Sequence, residues 1–233
     1  GVQIHHIAPV NKGEVVWCVE LALVAVIGRF FTTGIYNASR IVAVGGPCAA
    51  QKGYIKCLPG MMMKDIADLA GSDQVKEHEG QEVRFISGSV LTGTNVGAEG
   101  SLGIFDTQIT LMAEGRYNEL FGWAKPFRSK HSISRTYFSW LCPKKKYNMD
   151  TNLNGGPRAF VATGEYRKVF PMDIYPVHLL KACLAGDIEK MEELGIYEVV
   201  EEDFALCEYV CPSKRNIQTI ISDAIAMMLK EMC

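Results

Sequence analysis

From Val15 to Val26 the apolar residues follow one another without clear alternation, broken by Glu20 and closed off at Arg29. Runs of this kind belong to elements covered on both faces, as in α/β domains. The pattern predicts a strand around Val15–Val19, a helix around Leu21–Phe31 and a turn at Gly34, a piece too short to close a sheet alone. The stretch also falls short of the about 20 apolar residues that a membrane-crossing helix needs.

A second pattern begins at Arg40. In RIVAVGGP, Val42 and Val44 alternate with Ile41 and Ala43, and Gly45-Gly46-Pro47 marks a turn. YIKCLPG supplies another strand, and MMMKDIADL places Met62, Ile66 and Leu69 on the stripe of a short amphipathic helix. EVRFISGSVLTG and QITLMAEG add two more strands. Two strands, a helix and two strands are the order of a β-grasp, in which a sheet wraps one face of a helix. The glycine-rich GGPCAAQKGY matches neither dinucleotide nor phosphate-loop spacing and reads as the turn between two grasp strands.

After Gly115 the chain reads as irregular, with aromatics set between basic residues in FGWAKPFRSKHSISRTYFSWLCPKKK, and then as helical. Pro176 opens a helix through VHLLKACLA that Gly186 ends. Asp187 caps DIEKMEEL, with Ile188, Met191 and Leu194 on one face and Gly195 as terminator. The last helix has the cleanest period, carrying Ile217, Ile220, Ile221, Ala224, Ile225 and Met228 on one stripe. The fold class expected is therefore α+β.

Composition changes this picture little. A formal charge of -2 draws no polyanion, so nucleic acid is not an expected partner. Eight cysteines, at 18, 48, 57, 142, 183, 207, 211 and 233, lack the dense spacing of a secreted disulfide scaffold, which points to a reducing cytoplasm. The N-terminus has neither the charged region nor the apolar core of a signal peptide, and no initiator Met. No nucleophile motif and no paired carboxylates stand out, so no catalytic residue is assigned. His5 and His6 read as structural or capping residues rather than ligands, since neighbours on a strand point to opposite faces. The acidic run from Glu198 to Asp203 reads as a loop between helices without chemistry.

The words IHHIAPV, VAVIGRFFTTG, FISGSVLTG, AEGRYNELFGW, SISRTYFS, PMDIYPVHLLKA, GDIEKMEELG and EEDFALCEYVCP run from one end of the chain to the other. They resemble the A subunit of the sodium-translocating NADH:quinone oxidoreductases, and the chain resembles the C-terminal half of that protein. The resemblance implies three parts: residues 1–39 as the tail of a Rossmann-like domain, 40–114 as a β-grasp of the soluble-ligand-binding (SLBB) kind, and 115–233 as a mostly helical domain. It also implies a peripheral position on the cytoplasmic face of the bacterial inner membrane. The partners would be the other subunits of a complex that oxidises NADH, reduces ubiquinone or menaquinone and exports sodium. Flavins and an iron–sulfur centre would lie on those other subunits. No cofactor and no activity are expected of this chain alone.

The family shares an ancestor with the C subunit of the Rnf complex, in which the fourth cysteine of a cluster motif, C-x2-C-x2-C-x3-C-P, precedes proline as Cys211 precedes Pro212 here. Counting back, Cys207 is the third ligand position, but the second holds Phe204 and the first Glu201. Phe204 has no donor atom, and a rescue would have to come from Cys183 or His178. Cys207 and Cys211 are therefore expected to be vestigial ligands that pack a core, with no metal held. For the contact with partner subunits, the aromatic and basic segment offers Trp123, Phe127, Arg128, Arg135 and Trp140, residue types favoured in interfaces. Lys144, Lys145 and Lys146, near Lys130 and His131, suit an acidic partner or anionic lipid. Two alternatives follow: an Rnf-type electron-transfer protein with a working cluster, and a free-standing β-grasp module for a small ligand.

Overall fold

The computed structural model describes residues 1–70, 82–117, 120–122, 130–133 and 138–232. They divide into two compact units. One holds Val19–Asn154, the other Gly1–Cys18 together with the chain from Gly155 onward.

The first unit is built on a mixed five-stranded sheet. Its strands are β1 (Arg40–Gly45), β2 (Gly53–Cys57), β3 (Val83–Ser87), β4 (Thr94–Asn95) and β5 (Gln108–Ala113), in the order β2-β1-β5-β3-β4. β1 pairs antiparallel with β2 and parallel with β5, and β3 lies antiparallel to both β5 and β4. Val42 and Val44 of β1 and Ile109, Leu111 and Ala113 of β5 point to one face, as a period of two requires. Helix α3 (Met63–Leu69) covers that face with Met63, Ile66 and Ala67. The predicted stripe of Met62, Ile66 and Leu69 is displaced by one position. Met62 adopts an extended conformation ahead of the helix, so the buried face turns to Met63 and Ala67, and Leu69 is exposed. β4 is two residues long, too short for an alternation to reveal it.

The hairpin between β1 and β2 rests on one glycine. Gly46 has φ +109°, and a Cβ there would lie 2.1 Å from the Leu111 carbonyl oxygen of β5. The same oxygen accepts the Cys48 N–H at 3.2 Å, so the turn is sewn onto the central strand.

Just past the C-terminal end of β5, Arg84 of β3 grips Glu114 with two hydrogen bonds of 2.6 Å each. Thr151 donates its hydroxyl to the same carboxylate at 3.0 Å and accepts the Gly115 N–H at 2.8 Å. The Arg84 bond, opposed by partial burial and helped by Thr151, holds the Glu114 carboxyl below its ordinary value of 4.5. A depressed carboxylate contributes stability that is present above its unfolded-state value and lost as pH falls through its folded-state value. Acid titration below about pH 5 is therefore expected to destabilise the wild-type unit more steeply than Glu114→Gln. Equal slopes would show that the pair adds nothing.

Helix α2 (Leu21–Thr33) also falls in this unit, ending at Gly34 in the left-handed conformation as predicted. None of its residues is buried. The predicted strand at 15–19 is not formed, because a strand needs a neighbour to pair with and no described strand lies alongside it.

The second unit is helical. It comprises α1 (Val2–Ile7), α4 (Glu165–Val169), α5 (Pro176–Ala185), α6 (Ile188–Glu193), α7 (Ala205–Val210) and α8 (Ile217–Met232). Pro176 sits in the first turn of α5 and Gly186 closes it at φ +69°. Asp187 caps α6 by accepting the Lys190 N–H at 3.2 Å. Along α8, Ile217, Ile221, Ala224 and Met228 are buried and Ile220 and Ile225 partly so, which is the stripe the period predicts. The predicted acidic loop is instead two short 3-10 turns, Ile196–Glu198 and Glu201–Phe204.

Candidate functional site

The four positions of the degenerate cluster motif run from the 3-10 turn Glu201–Phe204 through α7 to its C-cap, Cys211. Glu201 opens the 3-10 turn and remains partly exposed. Phe204 ends that turn fully buried, and Cys207 and Cys211 follow it into the same core at 0% and 6% exposure. One helical turn separates the two cysteines, which is why both face inward.

What surrounds them is hydrocarbon and one phenol. The Phe204 ring lies 4.7 Å from Phe170, tilted by 39°. Tyr166 of α4, also fully buried, donates its hydroxyl to Cys211 Sγ at 3.0 Å, and Cys207 donates its thiol to the Tyr166 carbonyl at 3.9 Å. Tyr166 thus meets both cysteines, one through its hydroxyl and the other through its carbonyl. Phe160 stacks on its other side at 6.1 Å. Nothing in the sequence pattern singles out Tyr166; its partners are 41 and 45 residues away.

Electrostatics agree with this packing. Burial, reinforced by the neighbouring Cys211, pushes the Cys207 thiol up to about 12, and burial pushes Cys183 up to about 11. Burial first, and then the bond to Cys211, raises the Tyr166 phenol as well. Iron in such clusters is held by one protein donor each, and Phe204 brings no donor atom to its position. The two rescue residues do not complete a set: Cys183 is buried on α5, and His178 is exposed and edges onto Tyr175. Among the described residues, no three of His, Cys, Asp and Glu gather as a metal site. The residues present do not fit a four-iron cluster.

Just beyond, Glu208 accepts the Gln218 N–H at 3.0 Å. A carboxylate placed at the first turn of α8 answers the positive end of that helix.

The interface candidates are only partly visible. Trp123, Phe127, Arg128 and Arg135 lie outside the described residues. Trp140 is on a 3-10 turn, Phe138–Leu141, and is half exposed, as is Leu141. Lys144, Lys145 and Lys146 are exposed, and Lys145 lies 5.4 Å from the Tyr147 ring, which His131 also edges. Lys130 is tied down by Asn154 at 2.7 Å and Asp150 at 3.8 Å.

The histidine pair is placed differently from the sequence expectation. His5 and His6 lie on helix α1, not a strand, with ring centroids 5.0 Å apart. His5 meets Glu198 at 2.5 Å and the Asp173 N–H at 3.1 Å, and His6 meets the Pro171 carbonyl at 3.2 Å. These contacts are structural, as the sequence suggests, but the partners are not legible in it, since Glu198 is 193 residues away.

Comparison with known proteins bears on these features. Residues 1–36 match the family model described as NqrA second alpha/beta domain. Over 99% of its length the chain is similar to proteins named as the A subunit of Na(+)-translocating NADH-quinone reductase. It is 39% identical to that of Shewanella frigidimarina, 38% to that of Hahella chejuensis and 40% to that of Yersinia pseudotuberculosis. These alignments cover 51%, 50% and 50% of the relatives. The chain spans about half the length of the curated relatives it matches.

Proposed function

We propose that this homologue of the Na(+)-translocating NADH-quinone reductase A subunits supplies one half of such a protein. On this reading it sits peripherally on the cytoplasmic face of a bacterial inner membrane, within a complex that passes electrons from NADH to ubiquinone or menaquinone and exports sodium. The observation that carries the reading is 39% identity sustained over 232 residues, through both structural units. No described helix is long and apolar enough to cross a membrane, which suits a part held in place by partner subunits.

Each unit has a role in this reading. The sheet order β2-β1-β5-β3-β4, with a central parallel pair and α3 across one face, supports a β-grasp of the SLBB kind for residues 40–114. Residues 1–39 are the tail of a Rossmann-like domain. Apolar side chains exposed from Val15 to Phe31 support this, since a helix apolar on most sides belongs between other layers. Residues 115–233 are the mostly helical third part in this reading, its α-helices lying beyond Gly155 and its residues to Asn154 falling with the sheet unit, and Tyr166 and Phe204 stand where the cluster would be. The chain carries no flavin, no iron and no catalytic residue of its own, and its role is structural and on the quinone side. Partner contact is made through the segment around Trp140 and the exposed lysines, with Trp123, Phe127, Arg128 and Arg135 as further contacts.

The Rnf-type alternative, which needs a working cluster, is disfavoured by the fully buried ring of Phe204 at a ligand position. A free-standing grasp module is disfavoured because the similarity continues through the helical unit. The test is co-expression of the chain with the partner subunits and the unmatched half of a relative's A subunit, followed by affinity purification from membranes. The chain is expected in the complex; its absence at low and high salt alike would overturn the proposal. The purified chain, incubated anaerobically with iron and sulfide, is expected to show no charge-transfer absorption, and stoichiometric iron would restore the Rnf reading.

A further inference from the structure

Helix α1 buries none of its six residues, and of its apolar side chains only Val2 packs against the helical core. The segment from Gly1 to Lys12 is nevertheless fastened to the helical unit at several points, and nearly all of them are polar. Lys12 reaches Glu192 at 2.7 Å, and the same carboxylate oxygen accepts the Tyr197 hydroxyl at 2.6 Å. The Asp203 carboxylate lies beside Gly1. Between these ends stand His5 and His6, both applied to the short stretch from Pro171 to Asp173.

The partners of the two rings fix where their protons are. A main-chain N–H can only donate, so His5 Nε2, which meets the Asp173 N–H at 3.1 Å, must offer a lone pair. Its ring proton is then on Nδ1, donated to Glu198 Oε2 at 2.5 Å. His6 faces the opposite demand. The Pro171 carbonyl can only accept, so His6 carries a proton on Nε2. Adjacent histidines are thereby held in opposite tautomers by one loop.

We propose that residues 1–12 form a pH-sensitive latch on the helical unit, with His5 as its hub, closed while His5 is a neutral imidazole and opened at Asp173 when the ring takes a second proton.

The groups that face His5 are Glu198 from the turn Ile196–Glu198, Asp173 from the loop ahead of α5, and His6 on its own helix. Protonation treats them differently. The Glu198 contact becomes an ion pair and tightens. The Asp173 contact is lost, because the new Nε2–H points at another N–H. His6 keeps its bond to Pro171 on protonation, since the second proton goes to Nδ1. His5 is therefore the ring whose protonation sets its two contacts against each other, and the segment pivots on Glu198 away from Asp173. Residues 1–12 lie within the 36 matched by the α/β-domain model. The latch does not depend on the activity proposed above.

Nuclear magnetic resonance on the 233-residue chain tests this directly. Long-range nitrogen–proton correlations at about pH 8, above the ordinary imidazole range, are expected to show His5 Nε2 unprotonated and Nδ1 carrying the proton. Between about pH 8 and about pH 5.5, protection of the Asp173 amide, corrected for intrinsic exchange, is expected to fall by about tenfold or more relative to Ile221 in α8. His5→Gln keeps an acceptor for Asp173 but cannot titrate, so its protection is expected to stay level over the same range. A proton on His5 Nε2 at the upper pH overturns the proposal. So does Asp173 protection in the wild type that holds or rises on acidification, which would mean that the Glu198 ion pair governs the segment.

Discussion

Phe204→Ala is expected to destabilise the helical unit by about 3 to 5 kcal/mol, the range for emptying a fully buried aromatic site. The ring has no exposed surface and lies 4.7 Å from Phe170, with Cys207, Tyr166 and Ile221 in the same core. Truncation leaves a cavity beside Phe170 in a core shared by side chains of α4, α5, α7 and α8. Glu201→Ala, at the other vacant ligand position, removes a partly exposed side chain and is expected to change stability by less than about 0.5 kcal/mol. Urea unfolding of the two variants separates the cases, with a shift in midpoint at unchanged slope as the sign of a pure stability effect. A loss below about 1 kcal/mol for Phe204→Ala would mean that the ring does not plug this core. The reading of a filled cluster site would then fail with it.

Gly46→Ala is expected to cost the sheet unit about 4 kcal/mol, combining about 1 to 3 for a side chain at positive φ with about 1 to 3 for overpacking. The two costs cannot be relieved separately. At φ +109° the new Cβ would stand 2.1 Å from the Leu111 carbonyl oxygen and 2.7 Å from the Leu111 nitrogen. Those atoms belong to the central strand and to the bond that holds Cys48, so the turn must lift off β5 to make room. Gly53→Ala, at the start of β2 with open space around it, is the matched control and is expected to be mild. If both substitutions leave the melting temperature within a few degrees of wild type, the hairpin is not seated as described.

Part of the candidate site is legible in advance. The spacing of Cys207, Cys211 and Pro212 points to the motif, and Phe204 and Glu201 argue against a complete ligand set, because a ligand position is a matter of residue type. Tyr166 is beyond reach. Its role depends on where α4 lies against α7, and a lone Tyr in GEYRKVF carries no sign that its hydroxyl will meet a sulfur. The same holds for His5, whose tautomer is set by a carboxylate and an amide more than 160 residues away.

Local pattern is enough to place most of the elements. Period and punctuation located β1, β2, β3, β5, α5, α6 and α8, because alternation, capping Asp187 and the glycines at 34 and 186 act within a few residues. Tertiary structure decided what lay outside that local range. It left residues 15–19 without a strand, since a lone strand has nowhere to place its hydrogen bonds. It turned the buried face of α3 from Leu69 to Ala67, because the sheet selects which side of a short helix is covered. It also brought Tyr166 and Phe204 into one core with Cys207 and Cys211, a choice made by packing between α4, α7 and α8. Local preference limits the conformations a segment can adopt; contacts between segments distant in the chain choose among them, and those contacts leave no periodic trace in either partner.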